Sequence, residues 1–94
     1  MTIAPWIGPL AEDFSTAQTR VRSLGRTPDP SELLELYALY KQGSSGDVQG
    51  SRPGMLDFKG RAKYDAWAAK KGTPRETAQR AYVEFVEKLS AKYG

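Results

Sequence analysis

The stretch Thr73-Pro74-Arg75-Glu76-Thr77-Ala78-Gln79-Arg80-Ala81-Tyr82-Val83-Glu84-Phe85-Val86-Glu87-Lys88-Leu89-Ser90-Ala91-Lys92-Tyr93 decides the fold class. Ala78, Ala81, Tyr82, Phe85, Val86, Leu89 and Tyr93 recur at steps of three and four, which puts them on one broad face of an α-helix. Thr73 and Pro74 open it, and Glu76 is placed to complete a capping box.

The same periodicity extends upstream. Gly72 stops a preceding helix expected from about Lys59 to Lys71, with Trp67 as its anchor and Tyr64 beside it. Before that lies Gly43-Ser44-Ser45-Gly46-Asp47-Val48-Gln49-Gly50-Ser51-Arg52-Pro53-Gly54, a turn-rich loop. Long loops inside compact domains are often functional. Met55, Leu56 and Phe58 are expected to return the chain to the core. A further helix starts at Asp29, a good N-cap, with Pro30 at the first position and Glu32 closing a capping box. It runs to about Gly43. At about 100° per residue, Leu33, Leu34, Tyr37, Tyr40 and Lys41 share one arc. Leu39 falls between Glu32 and Glu35 on the far side and is expected to be a lone exposed leucine. The first helix is expected from about Leu10 to Leu24, with Leu10, Phe14, Ala17, Val21 and Leu24 as a narrow stripe and Gly25 ending it. Strand-like alternation is absent. The chain is therefore all-α, a four-helix bundle. Periodicity alone leaves its topology open.

Composition narrows the chemistry. At 94 residues the chain is one domain. It has no cysteine and no histidine, which removes disulfides, thiolate metal sites and the commonest general base and metal ligand. An enzyme is not expected, nor is a metal or other cofactor. No Gly-Lys-Ser/Thr follows the loop glycines with phosphate-loop spacing. Acidic pairs such as Glu32 with Glu35 lie on solvated faces. The net charge of +3 is mild. It suits anionic partners without naming one. No apolar run is long enough to span a membrane. The segment Met1–Leu10 lacks a basic start and is interrupted by Pro5 and Pro9, so no signal peptide is expected, and a cytoplasmic location is.

Lysines supply the most informative pattern. Lys41 shares an arc with Tyr37 and Tyr40, and Lys63 lies one turn before Trp67, with Lys59 one turn earlier. A lysine on an inward face is costly unless its ammonium finds water or an anion. Two such lysines beside large aromatics suggest a groove with aromatic walls and positive ends. It would suit a flat ring carrying phosphates. The same residues also fit a plain core whose tyrosine hydroxyls and lysine heads reach the surface. On this pattern alone, nucleotide-like ligands, nucleic acid and acidic proteins all stay open.

Longer motifs go further. Tyr37-Ala38-Leu39-Tyr40-Lys41-Gln42, then Gly46-Asp47-Val48, then Arg52-Pro53-Gly54-Met55-Leu56-Asp57-Phe58-Lys59-Gly60-Arg61-Ala62-Lys63-Tyr64-Asp65-Ala66-Trp67 closely resemble the signature blocks of acyl-CoA-binding proteins. Phe14, Val21, Leu24 and Pro28 upstream, and Ala81-Tyr82 and Lys92-Tyr93-Gly94 downstream, fit the same family. The resemblance covers residues 10–94 and leaves 1–9 as an N-terminal extension.

This resemblance implies an up-down-down-up bundle that binds medium- and long-chain fatty acyl-CoA without covalent chemistry, as a monomeric carrier and buffer. It implies that Tyr40 stacks on adenine, that Lys41 and Lys63 hold the ribose 3′-phosphate with help from the Tyr37 hydroxyl, and that Tyr82 packs against the nucleotide. Arg22 and Lys59 would lie near the phosphates or the thioester. The acyl chain would cross apolar residues of the second and third helices and the loop between them. Tyr64 stands where the family more often has tryptophan, which bears on affinity or chain-length preference. A nucleic-acid partner is disfavoured by the modest charge, since such domains carry a clear basic stripe. A protein-interaction module that has lost its ligand is disfavoured by the joint presence of Tyr37, Tyr40, Lys41, Lys63 and Tyr82. Stable membrane insertion is not expected.

Overall fold

The computed structural model describes residues 9–94, with side chains from Phe14 onward. The Leu10 side chain thus lies outside the description, and residues 1–8 of the N-terminal extension lie outside the described residues. Four helices are present: α1 (Pro9–Val21), α2 (Pro30–Ser45), α3 (Phe58–Ala68) and α4 (Arg75–Tyr93).

Local chemistry explains their ends. The Asp29 N–H donates to Glu32 Oε1 at 2.9 Å, so the back-reaching half of the expected capping box starts α2. Gly46, at φ 85°, ends it in a backbone region that side chains disfavour. Asp57 caps α3 by accepting from the Gly60 N–H at 2.9 Å. α4 differs from expectation. Its N-cap is Pro74, with no side-chain cap, so the Thr73–Glu76 capping box does not form. α1 stops at Val21, earlier than Leu24, because Arg22 and Ser23 bond back three residues and tighten the last turn. Gly25 then donates its N–H to the Tyr93 carbonyl at 3.1 Å. A Cβ at Gly25 would stand 2.7 Å from that oxygen, so this close approach requires glycine.

Contacts across the bundle give the topology. Arg20 reaches Ser90 and Gly25 reaches Tyr93, so α1 and α4 run in the same sense. Glu32 meets Lys92 and Tyr93 while Gln79 donates to the Gly43 carbonyl, so α2 runs opposite to α4. Lys63 meets Tyr37 and Lys41 meets Trp67, so α3 lies parallel to α2. The order is up-down-down-up, as expected from the resemblance. Parallel neighbours need a return crossing, and residues 46–57 supply it. Three side chains of α3 brace this loop. Trp67 Nε1 donates to the Gly46 carbonyl at 2.8 Å, and Tyr64 Oη to the Gly50 carbonyl at 3.0 Å. Arg52 makes a two-point pair with Asp65 at 2.9 and 2.7 Å.

The core joins Phe14 and Ala17 of α1, Leu36 and Leu39 of α2, and Tyr82, Val86 and Leu89 of α4. Two sequence expectations are corrected here. Leu39 is buried, not exposed. α2 lies between its neighbours α3 and α4, so the side of Leu36, Leu39 and Gly43 is the packed one. Met55, Leu56 and Phe58 do not return to the core; they are 75%, 92% and 76% exposed. The braced loop holds them at the N-terminal end of α3, away from the α1–α2–α4 core.

Candidate functional site

The arc of α2 that periodicity singled out faces neither the core nor plain solvent. Leu33 and Tyr40 stay 43% and 38% exposed, although their helix is otherwise well packed. Two depressions flank this arc. One, of about 260 Å³, lies between α2 and α3 and is lined by Pro30, Leu33, Leu34, Tyr37, Lys59, Ala62 and Lys63. The other, of about 310 Å³, lies between α1, α2 and α4 and is lined by Gln18, Val21, Arg22, Tyr40 and Tyr82. The first has apolar walls with lysines along the α3 side. The second has an arginine and two tyrosines.

The two lysines are held against rings. Lys41 Nζ stands 4.8 Å from the Trp67 ring centroid, and Lys63 Nζ stands 5.4 Å from that of Tyr37. Such contacts contribute about 0.5–2 kcal/mol and fix an ammonium while leaving N–H groups to donate. The two pairs arise from register. Tyr37 and Lys41 are one turn apart on α2, Lys63 and Trp67 are one turn apart on α3, and the parallel helices place the aromatic of each beside the lysine of the other. Both ammonium groups thus lie over aromatic rings of the facing helix.

On the other side, three rings from three helices meet. Phe14 lies near-parallel to Tyr40 at 6.1 Å between centroids and edge-on to Tyr82 at 5.2 Å, and Tyr40 is tilted against Tyr82 at 6.5 Å. Phe14 backs Tyr40, whose exposed part can receive a planar group. Tyr82 is only 4% exposed, so it serves the core as well as the depression. Burial, reinforced by Tyr40 and partly offset by Arg22, raises the pKa of its hydroxyl above the usual tyrosine value. It stays a neutral hydrogen-bonding group.

All seven expected residues are thereby located. Tyr37, Lys59 and Lys63 line the α2–α3 depression, and Arg22, Tyr40 and Tyr82 line the other. Lys41 lines neither and is held on Trp67. No residue of the loop lines the apolar trough. Sequence reasoning missed Gln18 and Ala62. Gln18 sits one turn before Arg22, a spacing that would have found it; Ala62 carried no distinguishing signal. Tyr64 uses its hydroxyl to brace the loop and lines neither depression. Buried Gln42 donates to Asp47 and to the Thr73 carbonyl, both at 2.8 Å, tying the end of α2 to the loop and to the start of α4. Among the described residues no group of side chains converges to hold a metal ion.

A small helical bundle that leaves an aromatic and lysine-bearing arc open between two depressions defines a class of ligand-binding domain. The chain belongs to the acyl-CoA-binding protein family: a family model described as "Acyl CoA binding protein" matches residues 11–86. It is 49% identical over 84 residues to an acyl-CoA-binding protein homolog of Drosophila melanogaster, covering 89% of this chain and 98% of that one. It is 52% identical over 81 residues to acyl-CoA-binding protein homolog 1 of Caenorhabditis elegans, covering 86% and 94%. Among solved structures, Oryza sativa acyl-CoA-binding protein 2 matches with a TM-score of 0.85 at 36% identity, over 88% of this chain and 90% of that one. The protein from Moniliophthora perniciosa matches at 0.82 and 40% identity, over 87% and 81%.

Proposed function

We propose that this chain binds medium- and long-chain fatty acyl-CoA esters non-covalently and buffers and carries them, as a monomer in the cytoplasm. One observation carries the proposal. α2 presents Leu33, Tyr37, Tyr40 and Lys41 along an arc the fold leaves open, between an apolar trough and a depression holding Arg22. An amphiphile with a long chain at one end and phosphates with a purine at the other matches this division. The chain lies in the α2–α3 trough over Leu33, Leu34 and Ala62. The adenine stacks on the exposed face of Tyr40, with Tyr82 packed behind. Lys41 and Lys63 hold the 3′-phosphate with the Tyr37 hydroxyl. Arg22 and Lys59 neutralise the remaining phosphates or lie by the thioester.

The magnitudes suit this division. Each covered methylene contributes about 0.8 kcal/mol, so a long chain supplies most of the driving force. Each lysine–phosphate hydrogen bond adds about 1.5–3 kcal/mol and confers selectivity for coenzyme A. Ordering costs of about 4–15 kcal/mol subtract from the sum. Nothing in the arrangement acts on the thioester. Covering it slows hydrolysis, which is protection and not catalysis.

Calorimetric titration of the delipidated protein with palmitoyl-CoA, free coenzyme A and palmitate tests this. Saturable one-to-one binding of palmitoyl-CoA, with both fragments far weaker, is expected. A folded protein that binds no acyl-CoA would overturn it.

A further inference from the structure

We propose that Asp47 is a positioning residue of the ligand site: it fastens α3, and with it Lys59, Ala62 and Lys63, in the place where α2 and α3 enclose the trough. Asp47 lines neither depression, so it acts only through the helix it holds. The ligand half of this assignment rests on the acyl-CoA reading; the fastening does not.

α3 needs fastening. It packs on α2 alone, whereas α1, α2 and α4 are joined through α4. Among the described residues, none of α3 belongs to the core, and Trp67 is its one buried side chain. A helix with so few buried apolar contacts opens at low cost. Yet it supplies one wall of the trough. The bonds from Tyr64 to Gly50 and from Arg52 to Asp65 join α3 to the loop that leads into it, so they travel with it. Across to α2 run the two lysine–ring contacts and the Lys70–Glu35 pair at 2.7 Å, all held by flexible lysine stems.

Asp47 closes a stiffer tie. The chain enters the α3 unit at Gly46–Asp47 and leaves it at Gly72–Thr73. Asp47 Oδ1 accepts from the Gly72 N–H and from Gln42 Nε2, both at 2.8 Å, and Gln42 Nε2 also donates to the Thr73 carbonyl at 2.8 Å. One carboxylate oxygen therefore joins entry, exit and the end of α2. Gln42 is fully buried, which anchors the clasp in the bundle. Its amide has one workable orientation, because the reverse would set its oxygen against two acceptors. Gly72 has a φ of 92°, with nothing within 4 Å of where a Cβ would stand. Backbone conformation, not space, calls for glycine there. The bonds, that from Gly72 first, hold the Asp47 carboxyl below the usual carboxylate range. With the clasp open, α3 pivots away from Leu33 and Tyr37 for part of the time, and apparent affinity falls by the fraction of protein still in place.

Calorimetry with palmitoyl-CoA and amide hydrogen exchange of the ligand-free full chain, run in parallel on Asp47→Ala, Asp47→Asn and Glu32→Gln, test this. Asp47→Ala is expected to weaken palmitoyl-CoA binding at least about fivefold. It should speed exchange in residues 59–68 while α1 and α4 keep their protection. Asp47→Asn retains an oxygen that accepts both bonds, and should restore affinity and exchange to near the parent's. Glu32→Gln loosens the opposite end of α2 and should leave affinity unchanged. Parental affinity or unchanged α3 exchange in Asp47→Ala overturns the proposal. So does equal acceleration in all four helices, or an affinity loss in Glu32→Gln as large, because general destabilisation then accounts for the effect. An Asp47→Asn variant that behaves as Asp47→Ala also overturns it, since charge and not the clasp is then at work. Should Asp47→Ala not fold, Gly72→Ala breaks the same bond from the donor side and carries the same expectations. A parent that binds no palmitoyl-CoA overturns the acyl-CoA reading instead, while α3-selective exchange in Asp47→Ala still supports the fastening.

Discussion

Lys41 Nζ stands 4.8 Å from the centre of the Trp67 ring, and the same indole donates its N–H to the Gly46 carbonyl at 2.8 Å. One side chain of α3 therefore positions a cation of α2 and fastens the loop that follows α2. Trp67→Phe keeps an aromatic face but loses the indole hydrogen bond and part of the packed volume. It is expected to lower stability by roughly 1–3 kcal/mol, read from denaturant midpoints, and to weaken palmitoyl-CoA binding. An unchanged affinity would separate Lys41 from the site.

Lys41→Ala and Tyr40→Ala are expected to weaken binding while the domain stays folded. Loss of a charge-assisted bond to phosphate corresponds to about 10–100-fold for Lys41→Ala. Loss of a stacking platform of about 1–3 kcal/mol gives a similar range for Tyr40→Ala. Calorimetry with palmitoyl-CoA measures both. Parental affinity in a folded double variant would refute the assigned site.

Leu33 and Leu39 share a helix and a side-chain type but should behave oppositely. Leu39 is 5% exposed in the core, and Leu39→Ala is expected to cost about 2–5 kcal/mol of stability. Leu33 is 43% exposed in the trough, and Leu33→Ala should cost less than about 1 kcal/mol in stability while lowering affinity for long acyl chains. Denaturation and titration of the two variants side by side decide this.

Glu32 links stability to pH. Its carboxylate accepts from the Tyr93 hydroxyl at 2.6 Å, from Lys92 at 2.9 Å and from the Asp29 N–H at 2.9 Å, and these bonds hold its pKa at about 2, down from 4.5. The folded state therefore binds this proton less readily than the unfolded state. The stabilisation is fully present above pH 4.5 and is lost as pH falls towards 2. Glu32→Gln should be the less stable protein at neutral pH, and the gap should close across that window in acid titrations of the unfolding midpoint. A gap that stays constant with pH would show that the carboxylate's charge is immaterial. Lys92 and Tyr93 have raised pKa values, first of all through their bonds to Glu32, so their contribution fades only on the alkaline side.

Much of this site was legible along the chain. The steps joining Leu33, Leu34, Tyr37, Tyr40 and Lys41 are a property of one helix, and Asp29, Pro30 and Glu32 mark its start through bonds within a single turn. Those local rules determined the helical class, most of the element ends and the arc that carries the proposed site. The signature blocks determined the family. Only the tertiary structure decided which arc of α2 is packed. Periodicity relates a helix to itself and does not count its neighbours, and α2 has one on either flank. Leu39 was therefore misplaced, and the arc that looked inward proved to be the open one. The same limit applies to the pairing of Lys41 with Trp67 and Lys63 with Tyr37, because register between parallel helices exists only once the loop has crossed back. It applies to Met55, Leu56 and Phe58 as well. Their apolar character predicts burial, and the bonds from α3 to residues 46, 50 and 52 hold them in solvent instead.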